Sequence, residues 1–403
     1  MTTDEISFYP FNNKKGIIEE YKNGITQCYC VNTDGELLFK LPTHCTAIEV
    51  EDDNVIFVLD CNNKKEYCEA LFDSNGNQLT DFVYNRIFGG SEEGFFEAEK
   101  DGNFGQLSNT GAEIVPFIYD ESMYFTEGVA GMKFNGKWGM VDCQNNTVIP
   151  FVSEDIGFCK NNRISVKKNG KWGVIDKFNN VVIGYEFDEL PYIFLGDRNC
   201  GSTYAKLGDN YGIIDIHGEN LFDFIFEAVD CADDYGKWFS LKKDGKWALY
   251  SCEKNMFISP FMYDYIDYYE NGIFNVQVNE KSFYVDTENR PIADESFECG
   301  KIFYGSTLIP FQKNGKNGVM NTGGKIIIEP KYEDKFEDYS EGMFVMLHNN
   351  FQEYVMDIEE NIVLPKNKNL KFFNGFSDGI IATYYNGYYK NNGEKLGLNF
   401  DLR

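Results

Sequence analysis

The sequence predicts an all-β protein built as a tandem array of about eleven repeats, each of about 35 residues. Three observations lead to this prediction: a short motif returns at nearly constant spacing, hairpin-turn signals follow the same period, and the segments between turns are apolar runs of strand length. Four short strands with tight turns account for about 35 residues. A unit of this size cannot bury its own apolar face, so we expect successive units to stack.

The repeated motif is clearest in the middle of the chain. The segment GKWGMVD at 136–142 returns as GKWGVID at 170–176, which places Trp138 and Trp172 34 residues apart. Weaker copies extend this period in both directions. We therefore expect one array over residues 1–403, with any subdivision at the insertion near 192–202. The repeats centre near residues 28, 69, 104, 138, 172, 211, 247, 282, 317, 353 and 386.

A single repeat, residues 127–158, shows why strands are expected. An alternating apolar run leads to Asn135-Gly136, a strong hairpin signal because both residues tolerate positive φ. A second strand carries the Trp-Gly pair and ends at the next turn. A third, at 147–152, contains Pro150, which indicates an edge position or a strand end. The remaining residues leave room for a fourth short strand.

Small stacked sheets of this kind can close into a ring or continue as a spiral. Closed β-propellers usually have about four to eight blades, and eleven copies exceed that range. We expect β-propeller-like blades in one continuous array. An open β-solenoid superhelix and two smaller propellers stay open as alternatives.

The recurring positions are predicted to be structural. Trp138, Trp172, Tyr211 and Trp247 hold the same slot in four repeats, and we interpret them as packing residues between repeats. The glycine after the slot would remove a side chain where two strands come close. A ladder of ligand-binding Trp residues is the functional alternative. The glycines concerned are Gly139, Gly173 and Gly212.

These residues resemble the WG-repeat, or KWG-repeat, family of bacterial proteins, named for the pair seen at Trp138-Gly139 and Trp172-Gly173. The resemblance is strong from about residue 94 to 365 and weaker at both ends. Only these two copies keep both residues. The resemblance implies a bacterial origin and a repetitive β-structure, and it supplies no catalytic motif.

The composition restricts the partners. The chain has 37 Lys and Arg against 64 Asp and Glu, a formal charge of −27. This charge disfavours nucleic acid, whose phosphates require cationic side chains, and it disfavours an anionic membrane surface. It favours solubility and attraction to a basic protein. Eleven scattered cysteines and the lack of a signal-like N-terminus predict reduced thiols in a cytoplasmic protein.

The sequence offers little chemistry for catalysis or metal binding. Its three histidines occupy unrelated repeat positions, and the known nucleophile, zinc-protease, phosphate-loop and dinucleotide motifs do not occur. Cys28 and Cys30 lie two apart on a predicted strand, but a second pair with zinc-ligand spacing is lacking. We predict that the protein is not an enzyme and carries no cofactor or metal.

The most suggestive segment for binding is 263–270. The acids and tyrosines Asp267, Tyr268, Tyr269 and Glu270 go beyond what the repeat pattern requires, and such pairs form hot spots for basic partners. Core aromatics beside solvated acids are the alternative interpretation. We predict a non-enzymatic protein-interaction scaffold with an acidic, aromatic surface. An immunity-type inhibitor of a basic toxin or nuclease, and a carbohydrate- or small-ligand-binding array, are the other hypotheses.

Overall fold

The computed structural model describes residues 5–50, 55–60, 68–91, 93–191, 202–231, 237–269, 272–293, 297–348, 352–367 and 370–402. Within these ranges every regular element is a β-strand and none is a helix. The described strands form eleven small antiparallel sheets, one for each predicted repeat. The prediction of an all-β repeat protein is therefore confirmed.

The first five sheets contain nineteen strands in chain order. These are β1 (Glu5–Asn12), β2 (Lys15–Lys22), β3 (Ile25–Asn32) and β4 (Leu37–Lys40); β5 (Cys45–Val50), β6 (Val55–Asp60) and β7 (Cys68–Asp73); β8 (Arg86–Gly90), β9 (Phe95–Lys100), β10 (Asn103–Ser108) and β11 (Glu113–Tyr119); β12 (Glu121–Ser122), β13 (Val129–Phe134), β14 (Lys137–Asp142) and β15 (Thr147–Ser153); β16 (Asp155–Ile156), β17 (Ile164–Lys168), β18 (Lys171–Ile175) and β19 (Val181–Phe187).

The six later sheets are more variable in strand number. They contain β20 (Ser202–Leu207), β21 (Asn210–Asp215) and β22 (Asn220–Phe226); β23 (Ala228–Cys231), β24 (Trp238–Lys243), β25 (Lys246–Ser251) and β26 (Met256–Phe257); β27 (Tyr265–Tyr269), β28 (Ile273–Val278) and β29 (Lys281–Val285); β30 (Glu298–Cys299), β31 (Leu308–Lys313), β32 (Lys316–Asn321) and β33 (Ile326–Tyr332); β34 (Lys335–Ser340), β35 (Met343–His348), β36 (Gln352–Asp357) and β37 (Ile362–Asn367); β38 (Ile380–Thr383) and β39 (Gly387–Lys390).

Each sheet is a meander in which neighbours in sequence are neighbours in space, as in a β-propeller blade. The predicted hairpin between β13 and β14 is present, with φ of 49° at Asn135 and 73° at Gly136. The next turn is closed by Asp142, whose Oδ1 accepts the N–H groups of Gln144 and Asn146 at 3.0 and 2.8 Å. The same cap recurs at Asp73, Asp176, Asp215 and Asp286.

The apolar core lies between consecutive sheets, as stacking of small units requires. Trp138, Met140 and Ile149 of one sheet pack with Ile164 and Val166 of the next, and all five are buried. Similar clusters recur along the chain. Each repeat therefore obtains its core from its neighbours, and loss of one sheet would expose the apolar faces of two others.

The chain divides into two compact units. Unit 1 comprises Met1–Ile87 and Glu295–Arg403, and unit 2 comprises Phe88–Asp294. Unit 1 therefore combines sheets from both ends of the chain. Residues 192–201, where we predicted any subdivision, lie outside the described residues.

The two ends of the chain meet within unit 1. The Tyr388 hydroxyl donates to the carbonyls of Tyr9 and Ile17 at 2.8 and 2.7 Å. The Lys14 N–H donates to Asp378 Oδ2 at 2.6 Å, and the Gly379 N–H donates in the same way to Glu341 in the preceding repeat. The last repeat thus joins the first as it joins its predecessor.

Candidate interaction surface

The Trp slot is a packing position covered by a lysine. Trp138 and Trp172 are only 8% and 6% exposed. Lys133 and Lys167 lie opposite them on the neighbouring strand, with Nζ 5.7 and 5.9 Å from the ring centres. A lysine over an aromatic face gains cation–π attraction while its stem covers the ring. The arrangement recurs with Lys206 over Tyr211 at 5.0 Å and Lys242 over Trp247 at 5.7 Å.

The glycine after the slot lies under a bulge in the last strand of its sheet. A Cβ on Gly139 would be 2.6 Å from the Ile149 carbonyl oxygen and 2.9 Å from the Phe151 ring. The bulge arises because Trp138 pairs with Ser153 while Met140 pairs with Ile149. The last strand therefore moves by four residues where the neighbouring strand moves by two. The same register shift, with glycine beneath it, occurs at Gly105, Gly173, Gly212 and Gly318.

The bulge is smaller in the tenth repeat, where a large residue replaces the glycine. In this repeat Tyr354 occupies the glycine position. Glu353 pairs with Asn367 and Val355 with Leu364, so the last strand moves by three residues where its neighbour moves by two. The longer bulge also forms over Ala70 and Ala248, where Glu69 pairs with Tyr84 and Trp247 pairs with Tyr263. A small residue at this position therefore accompanies the longer bulge.

The acids that recur beside aromatic residues cap hairpins. The Gly136 N–H donates to Asp120 Oδ2 at 2.8 Å, and the Gly170 N–H donates to Glu154 Oε2 at 2.9 Å. A similar hydrogen bond connects the Glu-Gly turns of successive repeats: the Gly128 N–H donates to Glu93 Oε1 of the preceding repeat at 2.9 Å. Carboxylates accept such bonds strongly. These recurring acids are therefore part of the repeat scaffold.

The segment predicted for binding lies on β27. Asp267, which is half-buried, pairs with Asn275 in register, and Tyr268 and Tyr269 pair with Phe274 and Ile273. Glu270 and the side chains of both tyrosines lie outside the described part of the chain. Glu121 pairs with Lys133 in the fourth repeat, and Tyr265 pairs with Gln277 at the equivalent position in the eighth. Counted from these pairs, Tyr268 and Tyr269 correspond to Tyr124 and Phe125. The repeat thus has places for both tyrosines.

A stacked aromatic pair lies at this position in two successive repeats of unit 2, with one ring exposed and the other half-buried. Tyr124 is 40% exposed and stacks on Phe158, with ring centres 4.4 Å apart and planes inclined by 29°. Tyr124 follows β12, and Phe158 follows β16. The signal that could have revealed the pair in the sequence is an aromatic residue three positions after the acids Glu121 and Asp155.

A cleft of about 310 Å³ is lined by Met123, the residue before Tyr124, and by Ile156, two residues before Phe158. Lys133 Nζ is 2.6 Å from Glu121 Oε1 and also covers Trp138. The cleft therefore combines an aromatic wall, an ammonium group and several carboxylates. Its lining consists of Glu121, Met123, Lys133, Trp138, Glu154, Asp155 and Ile156.

Two further carboxylates, one buried and one half-buried, have shifted pKa values. Asp334 in unit 1 accepts bonds from Lys366 Nζ and the Tyr354 hydroxyl, both at 2.9 Å, and lies 2.7 Å from His348 Nδ1. Burial alone would raise the pKa of Asp334, but these three partners together lower it. In unit 2, burial raises the pKa of Glu97, which pairs in register with the fully buried Gln106, to about 7.

Burial keeps several of the described cysteines protonated. The eight that the structure describes form no disulfide with one another. Burial raises the pKa of Cys28, Cys30 and Cys159 to about 12, which suppresses the thiolate that metal binding and nucleophilic attack require. Within the described ranges no three His, Cys, Asp or Glu side chains are grouped closely enough to hold a metal ion. The same ranges contain no helix long and apolar enough to cross a membrane.

Meander sheets, cores shared between repeats and joined chain ends define an all-β repeat protein of the β-propeller class. Five segments match the family described as WG containing repeat, at residues 107–138, 138–172, 172–194, 253–281 and 318–350. The chain therefore carries WG repeats, and the resemblance seen in the sequence is confirmed. No curated protein matches the sequence.

Several solved structures are similar at low identity. A crystal structure of a eukaryotic initiation factor is 9% identical, covers 78% of this chain and 96% of its own, and has a TM-score of 0.45. BamB from Moraxella catarrhalis is 10% identical, with coverages of 68% and 93% and a TM-score of 0.32. KlHsv2 with loop 6CD replaced by a Gly-Ser linker is 10% identical, with coverages of 77% and 93% and a TM-score of 0.27. At these scores the similarities carry no argument about function.

Proposed function

We propose that the protein is a non-enzymatic interaction scaffold that binds a basic protein. The observation that carries this proposal is the division between recurring and non-recurring residues. The recurring Trp, Gly and acidic residues make packing contacts and hydrogen bonds within and between sheets. Large side chains outside those positions are left in solvent, including Phe178 at 81% and Tyr304 at 96% exposure. Exposed aromatics are the residue type that most often carries binding energy at protein interfaces.

The charge supports a basic partner. A formal charge of −27 creates a field that attracts cationic proteins and accelerates their encounter at low salt. A bacterial cytoplasm is the setting we expect, because reduced, buried thiols suit it. An immunity-type inhibitor would be one form of this scaffold, in which the partner is a basic toxin or nuclease.

The burial of the Trp slots counts against a ligand-binding array. A ladder that stacks carbohydrate rings needs open aromatic faces, whereas Trp138 and Trp172 are buried beneath lysines. We therefore favour the protein scaffold over the carbohydrate hypothesis.

The experiment is to identify the partner by affinity purification from the native cell and then to reconstitute the complex from two purified proteins. We expect saturable binding whose on-rate falls by about tenfold or more as NaCl rises from low to physiological concentration. A reconstituted complex with the same on-rate across the salt series would contradict the basic partner. If no candidate binds when purified, the scaffold proposal itself fails.

A further inference from the structure

The cleft lined by Glu121, Met123 and Asp155 lies next in the chain to the stacked rings of Tyr124 and Phe158. We propose that it receives an arginine or lysine side chain from the basic partner, with the stacked rings as a shelf for the rest of that residue. This inference rests on the proposed function and adds the place and the chemistry of recognition.

The aromatic shelf is the first observation. Tyr124 stacks on Phe158 and leaves 40% of its own surface in solvent. An exposed ring face attracts a guanidinium or ammonium group and also covers the methylene stem that carries it. Arginine fits best because its planar group stacks on aromatic faces.

The second observation is that the cleft already holds a cation. The Lys133 ammonium lies 5.7 Å from the centre of the Trp138 ring and 2.6 Å from Glu121 Oε1. This shows that a cation over an aromatic wall, beside a carboxylate, is accommodated here. A second cation would find further carboxylates at Glu154 and Asp155 in the same lining.

Size and charge select the occupant. A volume of about 310 Å³ is at the lower end of ligand pockets, which span roughly 300–1,000 Å³, and suits one long side chain better than a folded segment. Three of the lining residues are carboxylates and one is a lysine, so an anionic or neutral group would be disfavoured. The shelf and the cleft together therefore fit a cationic side chain with an apolar stem.

The test uses the full chain and a hexa-arginine peptide as the probe, with binding measured by calorimetry at 50 mM NaCl. The pocket variant E121Q/D155N removes two charges from the cleft, and the control E219Q/E253Q removes two from elsewhere in unit 2. We expect the Kd to rise about tenfold in the pocket variant and less than about twofold in the control. Circular dichroism and thermal melting verify that both variants are folded.

Two further variants separate the shelf from the charge. We expect Y124A, which changes no charge, to weaken binding about fivefold, and Y304A, which removes an exposed tyrosine from unit 1, to leave it unchanged. Removing the resident cation with K133M should tighten binding about threefold, and the surface control K254M should change it much less. Y124A keeps the test informative if the double variant unfolds.

Equal losses in the pocket variant and its control would overturn the inference and leave the proposed function standing, because attraction would then come from the general field. Unchanged binding in Y124A would overturn the shelf. Absence of any binding of hexa-arginine by the wild type would also overturn the inference. The proposed function is judged separately by the salt dependence of the native complex.

Discussion

The glycine beneath the bulge gives the sharpest test of how the repeat is packed. A Cβ on Gly139 would be 2.6 Å from the Ile149 carbonyl oxygen, whereas an ordinary carbon contact is about 3.5–4.0 Å. The obstructing atom belongs to backbone held in β15, so it cannot rotate away. Overpacking of this kind costs about 1–3 kcal/mol, more than the roughly 0.4–1 kcal/mol that Gly→Ala gains by restricting the unfolded chain. We expect G139A to be destabilised by about 1–2 kcal/mol.

A matched control lies five strands further on, also in unit 2. Gly184 on β19 has no heavy atom within 4 Å of a Cβ placed on it, so G184A should be neutral or slightly stabilising. Urea unfolding followed by Trp fluorescence gives the midpoint and slope for wild type and both variants. If G139A and G184A are equally stable, the last strand yields to a methyl group and our account of the Trp-Gly pair is wrong.

Three further predictions concern buried side chains. Trp172→Ala should lower stability by about 3–5 kcal/mol, measured by urea unfolding, because a buried ring and its lysine cover are both lost. Unfolded Glu97 ionises near pH 4.5 but the folded group only near pH 7, so the wild type loses up to about 3 kcal/mol of stability as pH rises through that window. Glu97→Gln should abolish this loss, which stability curves at pH 5 and pH 8 will detect. Asp334 has a lowered pKa and so contributes stability above its unfolded pKa of 3.8. Asp334→Asn should cost about 1–3 kcal/mol at pH 7 in thermal or urea unfolding, since buried partners lose their ionised acceptor.

The repeat could be predicted from sequence because its signals are local. Asn135 and Gly136 specify their own turn, and the spacing of Trp138 and Trp172 gives the period directly. Each predicted repeat accordingly has its own sheet. The lysine that covers the Trp slot also recurs in the sequence, because a lysine lies five residues before each of Trp138, Trp172 and Trp247. Its role depends on strand register, which residue types alone do not give.

Other features were not predictable because they depend on distant contacts. The junction of the chain ends joins Lys14 to Asp378 across 364 residues, and no local pattern marks either residue. The bulge over Gly139 is a shift in pairing, not a residue type. The sequence prediction centres on Asp267, Tyr268, Tyr269 and Glu270 because they go beyond what the repeat pattern requires. Pairing shows that Tyr268 and Tyr124 hold equivalent positions.

Part of the negative charge follows from how the repeats fold. Asp142 and Asp176 close their own turns, and hydrogen bonds from Asn146 and Asn180 lower the pKa of the two carboxyls. An ionised acceptor binds an N–H more strongly than a neutral one, so this repeat favours acids at its turns whether or not a partner is basic. Total charge therefore supports a basic partner less strongly than the position of individual acids does. Position is stronger evidence, because Glu121 and Asp155 in the cleft lie three residues before the stacked rings of Tyr124 and Phe158, and Tyr124 is exposed.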